Sequence, residues 1–153
     1  MRSFDTGSLR EALAVSWGAD TSYRSAYTLG NPALGQCYPT SRVVQRLFPV
    51  FEVVKGSVDT GRGVECHFWN VTNDRGHLRQ VDLTWQQFPA GSVVQDRFEV
   101  LGRGALGDSA ATIRRCELLL RRVISVLDGG WHPNPSVPLG ADVPAAIGQP
   151  LRA

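Results

Sequence analysis

Apolar residues recur at helical spacing in three stretches of the chain, and at strand-like spacing between the second and third. Leu9, Ala12, Leu13 and Trp17 predict a first helix over residues 8–17. Ser8-Leu9-Arg10-Glu11 has capping-box spacing at its start, and Gly18 ends it. Val43, Val44, Leu47 and Phe48 line a second helix that opens at Cys37. Pro39 fits its first turn, where an amide has no partner in any case, and Pro49 stops it. Ile113, Cys116, Leu120, Val123 and Leu127 form the stripe of a last helix, capped by Asp108 or Ser109. Between these lie β-type runs at 51–55, 64–72 and 78–83, with a fourth around 98–101. Asn73-Asp74-Arg75-Gly76 reads as a hairpin turn joining the second run to the third.

The chain of 153 residues suits one domain, placed at 1–128. Residues 129–153 are rich in Pro and Gly without apolar period, and read as an arm or tail. A net charge of +2 gives no electrostatic case for nucleic acid, and no stretch approaches membrane-spanning length. Cys37, Cys66 and Cys116 are odd in number with no CxxC spacing, which argues against a disulfide framework or a zinc site. Reduced thiols suit a cytoplasmic protein with neither metal nor cofactor. Oligomeric state leaves no sequence signal here.

Three residues carry the candidate chemistry: Cys37 at a helix start, His67 in a strand, and Asp82 on the next strand. If the four residues Asn73–Gly76 form the turn, cross-strand partners have numbers summing to 149. His67 then stands directly opposite Asp82, with Trp69 and Gln80 as the next pair, fencing the site. A three-residue loop with a bulge at Gly76 would shift this register by one. A thiol acts as nucleophile only when ionised. A helix start contributes about 1 kcal/mol towards that, so a histidine partner is required. Asp82 would hold the imidazole in its tautomer and orientation, as carboxylates do in triads. The Cys37 amide is one natural oxyanion donor, with Gln36 or Asn31 supplying a second.

Other residues read more plainly. Cys66 and Cys116 fit buried core positions, with Cys66 on the strand face opposite His67. A metal site from Cys37, Cys66 and His67 is disfavoured by those opposed faces. His77 beside the turn and His132 in the tail carry no catalytic argument. Arg114, Arg115, Arg121 and Arg122 form a solvated helix face. Residues 18–36 make a long loop, a length often tied to function, and its Tyr23 and Tyr27 serve as pocket lining or as loop anchors.

Gly35-Gln36-Cys37 with Val43-Val44-Gln45, then His67-Phe68-Trp69-Asn70, then Val81-Asp82-Leu83-Thr84 with Gln87-Phe88, resembles the YunG-like family of small bacterial proteins. More distantly, the order resembles the papain-like and transglutaminase-like superfamily. The resemblance covers residues 9–127. It implies an α+β fold with a papain-like/transglutaminase-like core: a cysteine-bearing helix packed on a small antiparallel sheet, with flanking N- and C-terminal helices. It also implies Cys37 as nucleophile, His67 as general base and acid, and Asp82 as orienter. The expected activity is acyl transfer through a Cys37 thioester, most simply hydrolysis of an amide, isopeptide or thioester bond. The chain lacks room for a second lobe, so a small or defined acyl or peptidyl substrate is expected. The alternatives are an amide-forming acyltransferase on the same triad, or a non-catalytic binding or maturation module using the Tyr23–Tyr27 loop.

Overall fold

The computed structural model describes residues 5–104 and 107–129. The expected arm beyond Gly129, and His132 within it, lie outside the described residues. In chain order the elements are α1 (Thr6–Ser16), α2 (Cys37–Leu47), β1 (Glu52–Asp59), β2 (Val64–Asp74), β3 (His77–Val81), β4 (Val93–Val100) and α3 (Ala110–Leu127). The four strands form one antiparallel sheet in the order β3-β2-β1-β4. This is an α+β fold.

Local chemistry sets the helix ends. α1 is capped three residues earlier than its capping box predicts, because Asp5 is the cap and accepts from the Gly7 amide at 3.0 Å. Ser8 lies inside the first turn and donates its hydroxyl to Asp5 Oδ2. Ser109 caps α3 by accepting from the Thr112 amide. α2 breaks at Phe48, ahead of Pro49.

The helices share one core. Leu9, Ala12 and Leu13 of α1, Val43 and Val44 of α2, and Leu119 and Val123 of α3 are all fully or nearly fully buried. Val81 and Leu83 join them from the end of the hairpin. α2 packs on β2, where Asn70 Nδ2 donates to the Ser41 carbonyl at 3.0 Å and the Glu52 carbonyl at 3.3 Å. Alternation along β2 turns His67, Trp69 and Val71 to the other sheet face. There Trp69, Val71 and Val54 form a second, smaller core with Phe98.

The hairpin differs from the expected register. Asp74 pairs with His77 and Asn70 with Val81, so partner numbers sum to 151. The turn is the two residues Arg75 and Gly76, both at positive φ (52° and 85°), the conformation whose twist matches paired strands. His67 is therefore diagonal to Asp82, not directly opposite. A slip of two preserves the face, since side chains alternate with period two. β3 ends at Val81, before residue 83, and β4 begins at Val93, well before residue 98. Its polar centre, Gln95-Asp96-Arg97, hides the strand period on an exposed sheet edge.

Candidate active site

α2 delivers Cys37 as its first residue. No side chain caps this helix. The Thr40 amide makes the first helical bond, to the Gln36 carbonyl at 3.0 Å, and Pro39 has no N–H. The Cys37 and Tyr38 amides are thus the orphan donors at the positive end of the helix. Gly35 sets the approach to them at φ 75°, and its carbonyl accepts from the Tyr23 amide at 2.8 Å. A side chain there would crowd Tyr23 backbone atoms at 3.1 Å.

His67 is fully buried and its Nε2 lies 2.6 Å from Asp82 Oδ2. Trp69 stacks on the ring at a centroid distance of 5.6 Å. Phe88 meets it edge-on at 4.8 Å, and Trp85 at 6.2 Å. Trp69 Nε1 donates to Gln80 Oε1 at 2.8 Å, so the expected fence pair does touch, diagonally. Gly56, paired with His67 across β1 and β2, leaves the space the Trp69 ring occupies. The other imidazole nitrogen, Nδ1, is buried and makes no hydrogen bond among the described residues.

Burial alone would push the His67 pKa down. The hydrogen bond and charge of Asp82, with the adjacent Cys37 thiol, outweigh it and raise the pKa from 6.5 to about 9. The Cys37 thiol is therefore near enough to favour the charged ring, although no hydrogen bond yet joins it to Nδ1. Catalytic contacts are often loose before substrate binds.

Asp82 is held in turn. Its Oδ1 accepts from the Thr84 amide at 3.1 Å and the Thr84 hydroxyl at 3.4 Å. Gln87 Nε2 donates to the Thr84 carbonyl and hydroxyl, and Gln87 Oε1 accepts from the Gly35 amide at 3.4 Å. Thr84 and Gln87 thereby tie the orienting carboxylate to the loop that positions the thiol. Arg10 of α1 is half-buried near Asp82: burial lowers its pKa and the Asp82 charge opposes that.

The remaining candidates divide. Gln36 is buried, with Oε1 accepting from Thr21 and Nε2 donating to the Gly18 carbonyl. Asn31 Nδ2 donates to the Gln87 carbonyl at 2.9 Å. Both carboxamides thus fasten the 18–36 loop, which leaves the Cys37 and Tyr38 amides as the donors at the helix start. Tyr23 is 54% exposed, with the Arg24 and Arg115 guanidinium groups over its ring. Tyr27 packs against the main core. Cys66 is exposed, not buried, because α2 covers only the part of that sheet face near Asn70. Cys116 is half-buried, and burial with the Asp108 charge pushes its pKa up to about 11. A cavity of about 120 Å³ lies between α2 and α3, lined in part by Arg42, Cys116 and Leu120 and by none of the trio.

A family model described as YunG protein matches residues 5–128. The chain belongs to that family. The matched span of this YunG-family chain takes in all three helices, the whole sheet, Cys37, His67 and Asp82. No curated protein and no solved structure matches it. Among the described residues no helix is long and apolar enough to cross a membrane, and no three His, Cys, Asp or Glu residues are placed to hold a metal ion. Sequence reasoning missed Arg10 and Gly56, which carry no local motif. Thr84 was accessible, since Asp-x-Thr is an Asx-turn signature.

Proposed function

We propose that this protein is a cysteine-dependent acyl-transfer enzyme, most simply a hydrolase of amide, isopeptide or thioester bonds. The observation that carries the reading is the fully buried His67 ring, 2.6 Å from the part-buried Asp82 carboxylate and beside the Cys37 that opens α2. A buried charged imidazole is costly unless it serves a second partner. With Nε2–H held by Asp82, the free Nδ1–H is the group available to a Cys37 thiolate.

Cys37 Sγ adds to the substrate carbonyl, and the Cys37 and Tyr38 amides receive the developing oxyanion. As the intermediate collapses, His67 gives its Nδ1 proton to the leaving amine or thiol, leaving a Cys37 thioester. His67, now neutral, takes a proton from water as the water adds to that thioester. The carboxylic acid departs, and the thiolate and imidazolium are restored. An amine in place of water makes the same site an amide-forming acyltransferase. Asp82 keeps its charge throughout and fixes the ring.

The order of a helix-borne cysteine, then a histidine on one strand and an aspartate just past the end of the next, supports kinship with papain-like and transglutaminase-like enzymes. A cytoplasmic enzyme acting on an acyl or peptidyl substrate, without nucleic acid, membrane or cofactor, fits this reading. The competing reading, a non-catalytic binding module, draws on the exposure of Tyr23. Incubation with a panel of acyl aryl thioesters, followed by acid quench and peptide mapping, separates the two. The enzyme reading expects a mass increment on Cys37, lost in Cys37→Ala and much slower to form in His67→Ala. Turnover retained in Cys37→Ala would sink it.

A further inference from the structure

β2 is paired on both sides only at Asn70 and Val71. Its pairing with β1 runs from Val64 to Val71, whereas its pairing with β3 stops at Asn70↔Val81. The phase of the ladder says which backbone groups this leaves free. The Thr60 amide donates to the Gly63 carbonyl, and the Leu101 amide donates to the Val53 carbonyl. Both bonds fix Val58↔Glu65, Gly56↔His67 and Val54↔Trp69 as the hydrogen-bonded pairs between β1 and β2. Cys66 and Phe68 then point their N–H and C=O groups the other way, past the end of β3. Among the described residues neither backbone has a partner there.

This edge adjoins the trio. Cys66 and Phe68 flank His67 in the chain, and the Phe68 ring packs edge-on against Tyr38, the residue after Cys37, at 4.9 Å. Cys66 is exposed, Val64 beyond it is 60% exposed and Phe68 is half-buried, so the edge is open to solvent from its Cys66 end. Two donor–acceptor sets, two residues apart on a strand, match the main chain of an extended peptide. A simple acyl group, or one with a single amide, engages at most half of them.

Resting on the Cys37 reading above, we propose that the acyl portion of the substrate is a peptide, bound as an added strand along the Cys66–Phe68 edge of β2. The acyl portion is the part that stays attached to Cys37 through both steps, so it is the part that must be held while water attacks. The edge fits a short peptide and needs no second lobe.

The test compares two alkylating agents sharing one warhead, acetyl-Ala-Ala-Ala-chloromethyl ketone and chloroacetone. In both, Cys37 Sγ displaces chloride and forms a thioether. The proposal expects the peptidyl reagent to label Cys37 at least about tenfold faster, the scale of one or two backbone hydrogen bonds. Methylating the peptide nitrogens should erase that ratio in the unmodified protein. Cys66→Pro should reduce it about tenfold, because the lost N–H lies on the free edge, where proline leaves the β1–β2 ladder intact. The N-methylated reagent supplies the same test should that variant fold poorly. A ratio near one, with chloroacetone labelling Cys37 faster than it labels glutathione, overturns peptide docking and leaves the Cys37 reading standing. Labelling of Cys37 by both reagents no faster than glutathione overturns both.

Discussion

Replacing Asp82 with asparagine keeps the shape of the site and removes one charge, so its consequences can be worked through. The His67 pKa stands at about 9 against an ordinary 6.5. A shift of that size corresponds to roughly 3 kcal/mol of preference for the charged ring in the folded protein. The folded-state value is the raised one, so this stabilisation is fully present below about pH 6.5. It is lost as pH rises through about 9. In Asp82→Asn, burial is opposed only by Cys37, and the His67 pKa should fall by roughly 1–3 units. NMR titration of the imidazole reads this directly. Urea unfolding across the same range should show the variant less stable than wild type by about 2–3 kcal/mol at pH 6, with the gap narrowing towards pH 10. A wild-type His67 that titrates near its ordinary value, or a stability gap that does not change with pH, would refute the reasoning.

Gly56→Ala places a methyl group within 2.8 Å of Trp69 Cζ3 and forces the ring that stacks on His67 to move. It should cost about 1–3 kcal/mol in urea unfolding, shift the tryptophan emission, and slow Cys37 labelling. Asn70→Ala removes the side-chain bonds that tie β2 to the Ser41 carbonyl of α2 and the Glu52 carbonyl of β1. A loss of about 1–3 kcal/mol is expected, read from the urea midpoint. Thr84→Val deletes the hydroxyl shared by Asp82 and Gln87 and should lower acyl transfer more than stability, measured by thioester turnover beside thermal melting.

The sequence pattern made the three helices and the hairpin legible because each carries a period that packing enforces. The face shared by His67 and Asp82 was legible too, and it survived a register error of two. What failed was the turn: four turn-favouring residues in a row did not reveal that Asn73 and Asp74 remain in the strand. The Ser8–Glu11 spacing concealed Asp5, which caps the helix three residues earlier, at the Gly7 amide. Gln36 and Asn31 drew notice as amide donors near the thiol, but polar side chains beneath a long loop are needed to satisfy its backbone. Arg10 is 72 residues from Asp82 in the chain, and no local pattern links them.

The central claim is that His67 activates Cys37. Iodoacetamide alkylation at about pH 6, followed by mass mapping of all three cysteines, tests it most directly. Cys37 should be modified well ahead of Cys66 and of Cys116, whose thiols are both pushed up in pKa by burial, and His67→Ala should abolish the lead. Equal rates at the three cysteines, or a lead for Cys37 that persists without His67, would contradict it.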